Sequence, residues 1–155
     1  MDRKLAAILF SDIAGFTKLT AGDEEKAFDL INQQRKLFKP IVAQFDGEWL
    51  KEIGDGLLLL FSSSKKAINC AIAIQKKALN IDNLDIRIGL HQGDVIISND
   101  DVLGDDVNIA SRIEPISAVG GIAVSEKVVM DLMSSPEYTF KYLGVPELKG
   151  VKQNV

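Results

Sequence analysis

The chain opens its apolar pattern with an unbroken run at residues 5–10 (LAAILF), the mark of a strand buried on both faces. The run stops at Ser11-Asp12, and Gly15 follows. From Thr20-Ala-Gly-Asp-Glu-Glu onward the pattern changes. Phe28, Leu30, Ile31, Leu37, Phe38, Ile41, Val42 and Phe45 recur mostly three or four residues apart, which predicts one long helix over 23–45. Acids fill its first turn, where the helix dipole favours them. Pro40 lies inside it and should kink it or break its hydrogen-bond ladder. Asp46-Gly47 ends it.

A strand over 48–53, the tight turn Gly54-Asp55-Gly56 and a return strand over 57–61 follow; Asp-Gly between apolar runs is a strong hairpin signal. Ser62-Ser63-Ser64 caps a helix over 65–79, whose apolar face is Ala67, Ile68, Ala71, Ile72 and Leu79 and which carries Cys70. Strands are expected at 85–90 and 94–97, a third helix over 105–116, a short strand at 121–124 and a helix over 126–133. The tail, 138–155, reads as strand-rich around Gly144, Pro146 and Gly150. The order is β-α-β-β-α-β with further C-terminal elements, an α+β, ferredoxin-like split arrangement. Such a fold hosts many functions, so function has to come from its sites.

Composition narrows the classes. A length of 155 residues predicts one domain over 1–155, with a hydrophobic fraction of 46% that is ordinary for a globular protein. The one cysteine, Cys70, excludes an internal disulfide and a four-thiolate zinc site. Eighteen basic residues against 22 acids, a net charge of −4, argue against broad nucleic-acid binding. Without an aromatic RNA-reading strand, an RNA-binding version of the fold is disfavoured as well. No stretch reaches the roughly 18 apolar residues of a membrane span. The N-terminal apolar run is too short for a secretory signal, so a reducing, cytoplasmic setting is expected.

Two acids stand where strands stop. Asp12 is read as directly following the first strand, and Asp55 sits at the hairpin tip. In a βαββ unit both tips reach the same end of the sheet, and two close carboxylates repel until a cation joins them. Hard oxygen ligands, few in number, suit Mg²⁺ bound together with substrate phosphates. Each acid alone is also an ordinary turn residue; the pair is the functional candidate.

Four motifs carry a resemblance. Phe10-Ser-Asp-Ile-Ala-Gly-Phe-Thr, Lys51-Glu-Ile-Gly-Asp-Gly, Arg87-Ile-Gly-Leu-His-Gln-Gly-Asp and Val107-Asn-Ile-Ala-Ser-Arg, in this order, resemble the class III nucleotidyl cyclase catalytic domain, in its bacterial adenylate cyclase branch. The resemblance runs from about Leu5 to Lys152. It implies a homodimer with two active sites at the interface, ATP as substrate and 3′,5′-cyclic AMP as product. It implies that Asp12, Asp55 and the backbone carbonyl of Ile13 hold two Mg²⁺ or Mn²⁺ ions per site. Lys51 and Asp101 match the positions that read the adenine edge. Asn108 and Arg112 match the pair that orients the ribose and stabilises the transition state. A slip of Asp101 to Asp100 stays open. The alternatives are a guanylate cyclase and a nucleotide-binding regulatory module that has lost turnover. Relatives often carry sensory domains, so the chain is expected to be a catalytic domain excised from, or part of, a longer regulated protein, in the cytoplasm or on the cytoplasmic face of a membrane.

The residue types suit that chemistry. Lys51 can donate to a ring nitrogen and Asp101 can accept from an amino group, whereas a guanine carbonyl facing Asp101 would be repelled. Asn108 and Arg112 are four apart, so both project from one helix face. Lys51 and Asp55 are also four apart, but across a strand and its turn, where at about 3.3 Å per residue their tips separate by more than about 10 Å. One chain is therefore expected to give Asp12 and Asp55, and its partner Lys51, Asp101, Asn108 and Arg112. Backbone amides of Gly15 and Phe16 either cradle the triphosphate or simply begin a helix. His91, the lone histidine, reads as a hydrogen-bonded structural residue rather than a general base. Cys70 reads as core, and Trp49 as core or dimer surface.

Overall fold

The computed structural model describes residues 2–99 and 101–144. Strand β1 (Asp2–Ile13) leads into α1 (Phe16–Gly22) and α2 (Glu24–Gln44). The hairpin β2 (Glu48–Ile53) and β3 (Gly56–Phe61) precedes α3 (Ser64–Ala78) and the long β4 (Ile86–Ser98). Then come β5 (Asp101–Leu103), α4 (Asp105–Ile113), a 3-10 turn (Glu114–Ile116), β6 (Ile122–Val124) and α5 (Glu126–Asp131). The sheet order is β2-β3-β1-β4-β5, with β6 parallel to β4. The first four strands therefore form the predicted ferredoxin-like antiparallel core.

Alternation along β3 explains its continuous apolar run. Leu57, Leu59 and Phe61 face one core with Leu9, Ile88 and the buried sides of α2 and α3. Leu58 and Leu60 face a second, smaller core with Ile8, Val95, Val102 and Ala110. Both faces are covered, so polar residues have no place on the strand.

Several elements differ from expectation. β1 extends through Asp12, which pairs across the sheet with Arg87 instead of following the strand. The predicted helix over 23–45 is preceded by the separate α1, begun by Gly15 at φ 76° in the left-handed region; Asp23 separates the two helices and caps α2 through Lys26 N–H. Pro40 lies in the last turns of α2 without ending it. The strands expected at 85–90 and 94–97 are one strand, because the backbone ladder to β1 continues through Gly93. β5 escapes pattern reading, being only three residues long. On α3 the buried face is Ala67, Ile68, Cys70, Ala71, Ile74 and Ala78, while Leu79 has left the helix and is 84% exposed. Cys70 is core, as expected, and burial pushes its thiol up to about 12. Residues 138–144 contain no strand, and the rest of the predicted tail, like Asp100, lies outside the described residues.

Trp49 packs against the larger core, with Lys39 over its ring and its indole N–H donating to Glu52. Arg35 on α2 grips the same carboxylate with two 2.8 Å hydrogen bonds, which hold Glu52 below the usual carboxylate range and fasten β2 to the helix layer.

Candidate active site

The acid pair forms at the ends of β1 and of the β2–β3 turn. Asp55 Oδ2 accepts a 2.8 Å hydrogen bond from the Ile13 N–H, which places its carboxylate beside Asp12. Gln34, 1% exposed on α2, donates through Nε2 to the Asp55 backbone carbonyl at 3.3 Å and steadies the turn from below. Asp12 is held by the Arg87 fork: Nε and Nη2 each donate at 3.0 Å, one to each carboxylate oxygen. This bond, reinforced by charge, raises the Arg87 pKa further.

A third acid stands in this group. Glu114 is 7% exposed, and burial, then its contact with Asp12, push its carboxyl well above the usual carboxylate range. It sits against β4 because Gly89 has no side chain; a Cβ there would lie 2.4 Å from the Glu114 nitrogen. Three buried polar atoms among the described residues lack a partner: Ser11 Oγ, Gln34 Oε1 and Glu114 Oε2. All three belong to residues that adjoin or brace the acid pair. Unpartnered buried polar groups are costly.

The donor chemistry fits a divalent cation. Asp12 and Asp55 supply hard carboxylate oxygens, although no cage of three or more protein ligands exists among the described residues. Mg²⁺ characteristically takes one or two carboxylates plus substrate phosphates.

Lys51 and Asp101 also meet. Lys51 Nζ lies 3.5 Å from Asp101 Oδ1. Two features of the tertiary structure bring them together. A bulge in β2 lets Trp49 pair with Leu59 but Lys51 with Leu58, so Lys51 turns onto the face opposite Trp49. β4 also curls. Lys51 shares a rung with Leu58, Phe10 and Gly89, whereas Asp101 pairs with Ser98, nine residues further along β4. A straight strand would put those rungs roughly 30 Å apart. The β4–β5 ribbon instead folds back over the sheet, and Val95 and Val102 join Leu58 and Leu60 in one core. A hydrogen bond from Val102 N–H and the charge of Lys51 hold Asp101 below its ordinary pKa.

Asn108 and Arg112 project from α4 into solvent. Asn108 lines a cleft of about 290 Å³ with Phe10, Val102, Gly104, Val107 and Ser111. A larger cleft of about 470 Å³ is lined by Ile13, Ala14, Gly15, Phe16, Lys18 and Lys26, among others. Gly15 and Phe16 thus begin a helix and also border open space. Neither cleft contains both the acids and the α4 pair. Arg87, Glu114 and Gln34 were not assigned roles from sequence. Arg87 lay inside a recognised motif, and only its register opposite Asp12 gives it a task. Glu114 and Gln34 carried no sequence signal. His91 is buried with two hydrogen-bond partners, as a structural residue should be.

A family model described as "Adenylate and Guanylate cyclase catalytic domain" matches residues 2–155. A protein of Rhizobium meliloti (strain 1021) named as an adenylate cyclase is 32% identical over 99% of this chain and 27% of its own length. Retinal guanylyl cyclase 2 of Bos taurus is 31% identical over 94% of this chain and 15% of its own length. The chain thus spans about a quarter or less of these relatives. Among solved structures, an adenylate/guanylate cyclase/hydrolase from Silicibacter pomeroyi superposes with a TM-score of 0.90 at 32% identity, covering 99% of this chain and 94% of that one. Matched over residues 2–155, the chain belongs to the adenylate and guanylate cyclase catalytic-domain family, the class III nucleotidyl cyclases.

Proposed function

We propose that this chain is an adenylate cyclase, converting ATP to 3′,5′-cyclic AMP and pyrophosphate at two equivalent sites shared across a homodimer. The observation that carries the choice of base is the 3.5 Å pairing of Lys51 and Asp101. It sets a cationic donor beside an anionic acceptor, the complement of adenine's ring nitrogen and 6-amino group. Guanine offers a carbonyl where Asp101 needs a donor, and leaving a polar group unpaired in this way discriminates between the bases.

Asp12, Asp55 and the Ile13 carbonyl would hold Mg²⁺ or Mn²⁺, two ions per site. Bound there, the metal supplies a lowered pKa for the attacking hydroxyl and charge neutralisation on the triphosphate. The ribose 3′-oxygen attacks the α-phosphorus as the bond to the bridging oxygen breaks, and pyrophosphate leaves. Asn108 orients the ribose. Arg112 meets the charge that grows on the phosphoryl oxygens, where a planar guanidinium is most effective. The amides of Gly15 and Phe16 cradle the triphosphate.

The separate placement of the site's parts supports a shared site. Asn108 lines the smaller cleft, which neither Asp12 nor Asp55 lines. A two-fold dimer that sets the α4 side of one subunit against the acids of the other completes two sites at once. The test is to give purified protein ATP or GTP with Mn²⁺ or Mg²⁺ and separate the products. Cyclic AMP in large excess over cyclic GMP is expected. Preferential cyclic GMP would make it a guanylate cyclase, and nucleotide binding without either product would make it a regulatory module.

A further inference from the structure

His91 stands outside the chemistry above, yet it is the middle member of a chain of polar groups that leads to the catalytic helix. Its Nδ1 lies 2.7 Å from Ser125 Oγ and its Nε2 lies 2.8 Å from Asp106 Oδ1. The order serine, histidine, aspartate resembles a hydrolytic triad, but Ser125 and His91 are each 3% exposed, and neither lines a cleft described above. A nucleophile that no substrate reaches does no chemistry. The chain works in the other direction. A neutral imidazole gives its Nε2–H to Asp106 and accepts at Nδ1 from the Ser125 hydroxyl.

Asp106 belongs to the first turn of α4, two residues before Asn108 and six before Arg112. Its second oxygen accepts from the Asp94 N–H at 3.1 Å. Gly93 leaves the carboxylate its space: a Cβ at that position would lie 2.1 Å from Asp106 Cγ. The start of α4 is therefore fixed to β4 by two hydrogen bonds and one close approach. Ser125, the residue before α5, fixes the imidazole in turn.

We propose that His91 is a positioning residue for the α4 half of the active site, setting through Asp106 the height and rotation at which Asn108 and Arg112 are presented. The inference rests on the cyclase reading and deepens it. A misplacement of about 1 Å costs on the order of a hundredfold in rate. Lys51 and Asp101 stand on other elements, so base recognition should survive.

The test uses His91→Gln in the intact dimer. Its kcat should fall at least about tenfold with KM for ATP held within about twofold. Wild-type activity, or a raised KM with kcat preserved, overturns the proposal. Heterodimers purified through two different tags then locate the damage. Asp55→Ala paired with Arg112→Ala is the control, expected to give about half of wild-type activity from one intact site. If it gives none, the shared-site reading fails, and the split between kcat and KM still decides the role of His91. With the control active, Asp55→Ala paired with His91→Gln should recover to the same level, while Arg112→Ala paired with His91→Gln should not. The reverse result, or recovery in both or neither, overturns the proposal. Should His91→Gln fail to fold, Asp106→Asn enters the same pairings with the same outcomes.

Discussion

Gly89→Ala tests the idea that close packing on β4 sets the site. The added Cβ would stand 2.4 Å from the nitrogen and 2.5 Å from the Cα of Glu114. Both are backbone atoms, so no rotamer change relieves the clash. Ordinary contact needs about 1 Å more, and the 3-10 turn that must move is tied down. Ser117 N–H donates to the Glu114 carbonyl at 3.0 Å, and Ser117 Oγ accepts from Ile88 N–H at 3.4 Å. Overpacking a core costs about 1–3 kcal/mol. Rigid backbone on both sides puts this case near the top, and the usual gain of about 0.4–1 kcal/mol for Gly→Ala offsets only part. The net loss is about 2 kcal/mol, which for a domain of this size lowers Tm by about 4–8 °C. The turn continues α4, so Asn108 and Arg112 shift with it and kcat should fall by about 10- to 100-fold. Thermal unfolding followed by circular dichroism and steady-state kinetics measure both effects. Gly22→Ala is the control: nothing lies within 4 Å of its Cβ, and its stability should hold or rise. If Gly89→Ala melts within a degree of wild type and keeps its kcat, the packing argument is wrong.

Two further outcomes are expected. Mn²⁺ at about a hundred times its Kd should stabilise the protein by about 2.7 kcal/mol, and Asp12→Asn or Asp55→Asn should abolish the shift in Tm; persistence of the shift in both variants would place the cation elsewhere. Burial lowers the His91 pKa below its usual value, partly opposed by Asp106 and reinforced by Lys127. The unfolded chain therefore binds a proton that the folded one refuses, so stability should fall as pH drops below about 6.5 toward the depressed folded value and be insensitive to His91 above it. Melting His91→Gln beside wild type between about pH 5 and 8 isolates this limb, and identical curves would show that His91 carries no such shift.

Local pattern determined much of this protein. Continuous apolar runs, helical spacing and an Asp-Gly turn were enough for the βαββαβ order, since each depends only on neighbouring residues burying a face. The four motifs pointed to the cyclase family for the same reason: each is a short contiguous string. Pairings across the chain were decided by tertiary structure alone. The bulge that turns Lys51 away from the Trp49 face, and the curl of β4 that carries Asp101 back to it, depend on register and on a second core. Arg87 gained its partner Asp12 from strand alignment, 75 positions apart. Glu114, Gln34 and Asp106 acquire their roles only where a glycine leaves room or a helix packs down. Such contacts are settled by the packing of whole elements, a property that no local stretch of residues contains.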